Sequence, residues 1–392
     1  MLSQNPAIKI GVIGAGLRIR HVLSLLLNEA AGRIQIAAVC DPDPEAIEAM
    51  QKMAGSRLRV YQNEKTLCGD PEIEWVFIAS PNCYHRRHAV TALDAGKNVF
   101  CEKPLATTLE DCLAIRDAVE RSGKVFSFGL VLRYSPHYRK IHELLQQGAI
   151  GKLVSFEFNE TINFNHGGYI FGGWRRDKSI AGSHMLEKCC HDIDIANWLT
   201  NSRAIATASF AGLDIFTPDN RDLTRKAGYD ANNRRAYQTW MPPGRETDAF
   251  REGATIMDNQ VTIIEYENGV RATFHANCNA AFHERRLYMC GTEGTLRADV
   301  ISGIIEVQRI GFDQKRQTFS TKVASDGHGG GDAKMARSLC ATIIDGAPPL
   351  ADVNDGLLAC ATVFAIDQAQ ETRSIVDVKP IWDKIEQPVS AR

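Results

Sequence analysis

Residues 8–16 read Ile8-Lys9-Ile10-Gly11-Val12-Ile13-Gly14-Ala15-Gly16, a short β-branched run ending in a glycine pair and followed by the helical stretch His21–Asn28. A strand that turns sharply at Gly14 and Gly16 into a helix lets the backbone approach an anion closely. The helix start there presents unpaired N–H groups and the positive end of its dipole. Outward from this unit the alternation continues. Strand candidates at Ile34–Val39, Trp75–Ala79, Asn98–Cys101 and Val125–Leu130 are separated by helical segments at Pro44–Ala54, His85–Ala95 and Leu109–Arg121. Short apolar strands alternating with helices predict a doubly wound parallel sheet, a Rossmann-type α/β domain over residues 1–130.

Beyond a helix expected at Ser135–Gln147 the texture changes. Leu153–Ile162, Ala204–Ile215, Gln260–Tyr266, Val270–Asn277, Arg286–Cys290, Thr295–Asp299 and Gly303–Arg309 read as strands joined by short turns. They predict an α+β domain over residues 131–392 built on a large, mostly antiparallel sheet. One helix, His184–Leu199, interrupts the strands, and helices at Ala333–Ile344 and Asn354–Gln370 follow them. The stretch 217–252 is polar and without period, too long for an ordinary connection, and is expected to be a surface insertion, a lid or an arm to a neighbouring subunit.

At 392 residues the chain is long for one core, so two domains are the default expectation. Lys and Arg number 45 against 47 Asp and Glu, a net charge of −2, so no global basic field exists to hold nucleic acid or an anionic membrane. The eleven cysteines include no CxxC pair, which suits a reducing compartment; with no secretory signal pattern and no long apolar span, a cytoplasmic protein is expected.

The second strand runs into Asp41, the spacing at which a carboxylate accepts from the ribose of a dinucleotide. It favours NAD over NADP, because it would repel a 2′-phosphate. Arg18 and Arg20 on the loop work against that preference. The third glycine of GxGxxG is replaced by Ile19. Glu102-Lys103-Pro104 follows the Asn98–Cys101 strand, and Ser80-Pro81-Asn82 ends the strand before it; strand carboxyl ends are where α/β sheets hold ligands. On the helix at His184–Leu199, helical spacing puts His184, Glu187, Lys188 and His191 on one face, where a purely structural helix would carry apolar residues. A satisfied core histidine among surface charges is the plain alternative. The ligand types of His184, Glu187, Cys190 and His191 lack a further cluster to complete a metal site, so no metal is expected. Trp174-Arg175-Arg176-Asp177-Lys178 suits a sugar face with an anionic substituent, or else is a solvated loop.

Taken together these motifs resemble the Gfo/Idh/MocA family, the glucose-fructose oxidoreductase and inositol dehydrogenase group. The resemblance rests on the glycine turn with His21, Ser80-Pro81-Asn82 with His85, Glu102-Lys103-Pro104, and Arg133-Tyr134-Ser135-Pro136. It continues through Gly148–Lys152, Gly182–Asp194, Gly291–Thr295 and Gly327–Asp332. The family's acid, histidine and acid fall here on Glu187, His191 and Asp194, with Glu in place of the usual first Asp. The resemblance implies an NAD-dependent oxidoreductase acting on a secondary alcohol of a sugar, inositol or related polyol. Gly14, Gly16, Leu17, Arg18, Asp41, Ser80, Asn82, His85, Glu102 and Lys103 are the expected cofactor contacts. Arg133, Trp174, Arg175 and Lys188 are expected on the substrate together with Lys103 and His191. His191 is the expected base, Glu187 or Asp194 its orienting acid, and Lys103 the cation at the developing alkoxide, with Lys188 its competitor. A homo-oligomer, dimer or tetramer, is implied as well. Two rivals share the constellation: a redox glycosidase with a second base among Tyr134, His166 and Glu160, and a non-enzymatic NAD sensor acting through the 217–252 insertion.

Overall fold

The decisive run folds as a strand, β1 (Ile8–Ile13), and the helix after it is Leu17–Ala30. With β2 (Ile34–Cys40), β3 (Arg59–Val60), β4 (Trp75–Ile78), β5 (Asn98–Cys101) and β6 (Phe126–Phe128) it forms a six-stranded sheet in the order β3-β2-β1-β4-β5-β6, every pair parallel. Both faces are covered, so β4 buries every residue and β1 its last four, as continuous apolar runs require. The computed structural model describes residues 6–55, 58–321 and 327–387. The chain divides into two compact units, Met1–Ser135 with Ala324–Cys360 and Pro136–Val323 with Ala361–Arg392.

The first unit is therefore discontinuous. Met335, Leu339, Cys340 and Ile343 of the helix Gly331–Asp345 share one core with Leu23, Leu26, Val131 and Tyr134. Ile19, which stands where a third glycine would be, is fully buried in that core and fills it with a branched side chain.

The second unit carries a nine-stranded sheet. In chain order its strands are β7 (Leu153–Asn163), β8 (Ala204–Gly212), β9 (Asn259–Tyr266), β10 (Arg271–Ala280), β11 (Arg286–Gly291), β12 (Gly294–Asp299), β13 (Ile304–Arg309), β14 (Gln317–Ser320) and β15 (Val376–Asp377). They lie in the order β14-β13-β12-β11-β7-β10-β9-β8-β15, with β7 and β10 parallel and the remaining neighbours antiparallel. Burial alternates along β9 and β10, the signature of one covered and one open face. The two-domain α/β plus α+β architecture is the one the sequence predicts. The short strands β3, β14 and β15 and the helix Phe164–Gly172 lie outside that prediction.

The 217–252 stretch is exposed over most of its length, yet a few of its residues are buried. Tyr237, Ala236, Ala249 and Phe250 join Phe216, Ile170, Phe171 and Ile162 in a separate apolar core. The rings of Phe171 and Phe216 stack at 4.3 Å. Its apolar residues are held by irregular turns and two short helical segments, Pro218–Asn220 and Leu223–Ala227, so burial leaves no period in the sequence. Glycines on the Phe164–Gly172 helix make the seat. A Cβ on Gly168 would lie 2.0 Å from the Tyr237 carbonyl oxygen, and one on Gly172 would lie 1.9 Å from the Met241 methyl. Gly168→Ala is expected to push the insertion off the helix at a cost of about 1–3 kcal/mol. Thermal unfolding should then begin at a lower temperature, and limited proteolysis should cut first within 217–252.

Candidate active site

In the first unit the glycine turn is built against the end of β4. Gly14 has φ +85°, and a Cβ there would lie 2.5 Å from the Ser80 nitrogen, so the turn itself demands glycine. Gly16, at the helix N-cap, has no protein atom within 4 Å of its would-be Cβ, and Leu17 beside it is exposed. Open space next to a helix start without a side-chain cap is what a closely approaching pyrophosphate needs. Asp41 sits at the carboxyl end of β2. One of its oxygens accepts from the Ala15 N–H (2.6 Å) and the other from the Asp43 N–H (2.8 Å), which leaves lone pairs for ribose hydroxyls. These residues fit a bound dinucleotide.

Arg18 does not reach toward a phosphate. Its Nε donates to Glu102 (2.7 Å) and its Nη1 to Asp332, while its Nη2 is buried with no hydrogen-bond partner among the described residues. Burial opposes the charge, but Glu102 and Asp332 outweigh it and raise the guanidinium above its ordinary value. Burial would raise the Asp332 carboxyl; His328, donating at 2.9 Å, and Arg18 reverse this and hold it well below the usual carboxylate range. Glu102 is thereby an anchor for Arg18, packed against Gly129, and not a free cofactor ligand. His85 is likewise internal. Its ring nitrogens lie 2.7 Å from the Pro104 carbonyl and 2.9 Å from the Ser80 carbonyl, so it laces the end of β4 to the loop after β5 instead of touching a cofactor. Ser80 turns its hydroxyl to His88 (2.9 Å), and Asn82 is buried in the turn that follows. Lys103 stands directly beyond β5, half-buried. Arg133, expected on substrate, is buried and paired with Asp355 (2.6 Å). Tyr134 is buried in the first unit's core.

In the second unit the expected helix is two. His184–Glu187 ends at Lys188-Cys189, and Cys190–Thr200 starts afresh, because the Lys188 and Cys189 N–H groups both turn to the His184 carbonyl (2.9 and 3.4 Å). The single-face register therefore breaks before His191. The segment still buries His184, Glu187, Lys188, His191, Asp192 and Asp194, each less than a tenth exposed. Glu187 accepts from Arg175 Nε (2.9 Å), which commits it to holding the 174–176 turn. Lys188 pairs with Glu160 (3.0 Å).

Below them lies a group the sequence reading did not single out. Arg285 donates through Nε and Nη2 to both oxygens of Asp192, each at 2.7 Å, and its Nε also lies 2.7 Å from Glu160. Burial would raise the Glu160 carboxyl, yet Arg285 and Lys188 hold it at about 2, so it is an ion-pair partner and no second base. Burial, with the Glu160 charge behind it, pushes Asp192 up to about 6 in spite of Arg285. Only pairing across three separate segments shows this, and no spacing rule marks it.

The basic loop is also spent internally. Arg175 lies over the Tyr169 and Trp174 rings at 4.8 and 4.5 Å. Arg176 donates to the Arg251 and Glu252 carbonyls, and Lys178 pairs with Glu371. The loop is packed at Arg175 and Arg176 and exposed at Lys178. Among the described residues no group of three His, Cys, Asp or Glu is placed to hold a metal, and no helix is long and apolar enough to cross a membrane.

Residues 8–130 match the model of an oxidoreductase family with an NAD-binding Rossmann fold, and residues 142–378 match that family's C-terminal alpha/beta domain. Levoglucosan dehydrogenase of Pseudarthrobacter phenanthrenivorans is 31% identical over 59% of this chain and 57% of its own. Inositol 2-dehydrogenase/D-chiro-inositol 3-dehydrogenase of Lactiplantibacillus plantarum is 27% identical over 55% of this chain and 57% of its own. The chain thus matches little more than half the length of either relative. The solved structure of levoglucosan dehydrogenase in complex with NADH and levoglucosan superimposes with a TM-score of 0.77 at 22% identity, covering 95% of this chain and 99% of that one. The first unit is an NAD-binding Rossmann domain.

Removing Arg18 while keeping its bulk, Arg18→Met, would leave Glu102 buried without this counter-charge and Asp332 with only its histidine partners, a loss of about 3–5 kcal/mol at pH 7. The Asp332 carboxyl is depressed in the folded state, so its contribution is present above the unfolded carboxyl range and is lost as pH falls. The stability gap between variant and wild type, read from denaturant midpoints, should therefore shrink below about pH 4.

Proposed function

The chain belongs to the Gfo/Idh/MocA oxidoreductase family, and from that premise we propose that it is a dehydrogenase of a secondary alcohol on a sugar, inositol or related polyol. The observation that carries the reading is the segment 184–194, which buries six ionisable side chains within eleven residues. Burial of that many charges costs stability unless the chemistry needs them there, and such clusters mark reaction sites. The relatives named for sugar and cyclitol oxidation agree with it.

In this reading His191 accepts the hydroxyl proton and the Lys103 ammonium stabilises the alkoxide that develops, so negative charge on oxygen meets a fixed cation at the moment it forms. NAD, when bound, supplies the acceptor for the hydride. Gly14, Gly16 and Asp41 receive the dinucleotide, with Asp41 on the ribose hydroxyls selecting NAD over NADP. Arg18, tied to Glu102 and Asp332, does not offset that selection. Lys188 is engaged with Glu160, so the cationic role falls to Lys103. Glu187 acts as a positioning residue through Arg175.

The open face of the nine-stranded sheet supports a homo-oligomer. Phe210 stands opposite Val261, and Tyr288 opposite Glu157, with Val261, Ile263 and Phe210 all more than half exposed. Val261→Lys with Ile263→Lys is expected to yield a monomer by light scattering without loss of fold.

His191→Ala and Lys103→Ala should each lower kcat by about 10²–10⁴-fold with NADH affinity, followed by cofactor fluorescence, unchanged. Normal turnover in either variant removes that residue from the mechanism. Asp41→Ala should raise the relative use of NADP; an unchanged NAD to NADP ratio would show that another group selects the cofactor.

A further inference from the structure

The 217–252 insertion brings one large aromatic side chain to the charged site of the second unit. Tyr237 is a fixed point: its N–H donates to Asn165 Oδ1 (2.7 Å), its hydroxyl to Asn279 Oδ1 (3.1 Å), and its carbonyl rests on Gly168. Met241 is another, seated on Gly172, with its sulfur accepting from the Thr247 N–H (3.2 Å). Between them Trp240 is held with its indole stacked on the His166 imidazole, 4.2 Å between ring centres and 21° between planes. Trp240 is nonetheless 51% exposed, so one face of the indole rests on His166 and the other is open.

His166 links this ring to the site already described. Its ring centre lies 6.5 Å from that of Tyr169, over which Arg175 sits at 4.8 Å; burial pushes the imidazole well below the ordinary value, and Lys188, His283, His184 and Arg175 push it further down. Two of those groups, the permanent cations, are already matched, Lys188 by Glu160 and Arg175 by Glu187. An exposed aromatic plane is thus backed by His166, near cations that are already paired. That combination suits a ring with an apolar C–H face and no net charge, because an anion would find each of these two cations already paired, whereas an indole face gains from burying C–H groups.

We propose that Trp240 is a specificity-determining residue of this site, stacking its open indole face on the C–H face of an uncharged pyranose or cyclitol. This rests on the dehydrogenase reading above and narrows it to neutral cyclic substrates. The probes are a panel of neutral pyranoses and cyclitols, the corresponding uronates, and open-chain alditols, each assayed with NAD against wild type, Trp240→Phe, Trp240→Leu and Trp240→Ala. The wild type should oxidise a neutral cyclic member best. Trp240→Ala and Trp240→Leu should raise KM for it about ten-fold with kcat within about two-fold, Trp240→Phe should recover most of the loss, and KM for NAD should stay the same in all three. An unchanged sugar KM in a folded Trp240→Ala or Trp240→Leu protein, or a wild type that prefers uronates or alditols, overturns the proposal and leaves the dehydrogenase reading standing. A wild type that binds NADH yet oxidises nothing in the panel overturns the dehydrogenase reading, and the proposal with it.

Discussion

At the carboxyl edge of the first unit's sheet, three segments are tied by one partly buried cation. Arg18 leaves the glycine turn, crosses to Glu102 beyond β5 and ends on Asp332 at the start of the Gly331–Asp345 helix, more than three hundred residues away in sequence. Each of the three segments would otherwise end in a loop at the carboxyl edge of the sheet, the edge at which such sheets hold their ligands. Pairing a buried guanidinium with two carboxylates gives little net stability, because desolvation consumes most of the Coulomb gain; what it fixes is which arrangement of the loops is allowed. A shifted loop would strand a charge, so Lys103, next to Glu102, is presented in one place. The same Arg18 explains why the loop arginine does not serve as a phosphate hook.

The second unit repeats the device with different residues. Arg285 holds Asp192 by both oxygens and lies against Glu160, which in turn holds Lys188. Strand β7, the 184–200 segment and the β10–β11 connection are thereby tied together. The helix break at Lys188-Cys189 follows from this burden: an unbroken helix would keep Lys188 and His191 on one face, whereas the break lets Lys188 meet Glu160 and lets His191 begin a new register. Positioning here is electrostatic, in a region where the alternative to a partner is a naked buried charge.

The fold was largely legible because its carriers are periodic. β1, β5 and the helix Pro44–Ala54 have the boundaries their apolar spacing predicts, since each buries a regular face. Of the candidate site, the sequence pattern made legible the positive φ at Gly14 and the placing of Asp41 and Glu102-Lys103-Pro104 at strand ends. What stayed hidden shares one property: it arises from pairing between segments distant in the chain. Arg18, Arg133, Arg175 and Lys178 all read as free cations in sequence, and each meets a carboxylate that no local spacing announces. His85 reads as a ligand because it follows a ligand-binding turn, yet its neighbours are two backbone carbonyls. The 217–252 core was invisible for the complementary reason, apolar side chains buried without any repeating backbone to space them.

That pattern of hidden pairing has a chemical consequence. Counted in sequence, the second unit's site looks strongly basic, with Arg175, Arg176, Lys178, Lys188 and Arg285 near the reactive segment, and such a site would select an anion. Counted in structure, Arg285 and Lys188 are met by Glu160 and Asp192, Arg175 by Glu187, Lys178 by Glu371, and Arg176 by two carbonyls. Four of these five cations thus meet a carboxylate, and Arg176 meets carbonyls. An enzyme whose binding pocket is neutral must find its substrate by shape, hydroxyl hydrogen bonds and contact with apolar C–H faces, and its reaction then has to create charge only on the oxygen that loses its proton. Interactions that appear with that charge lower the barrier, whereas attraction to a resident anion would tighten ground state and transition state alike.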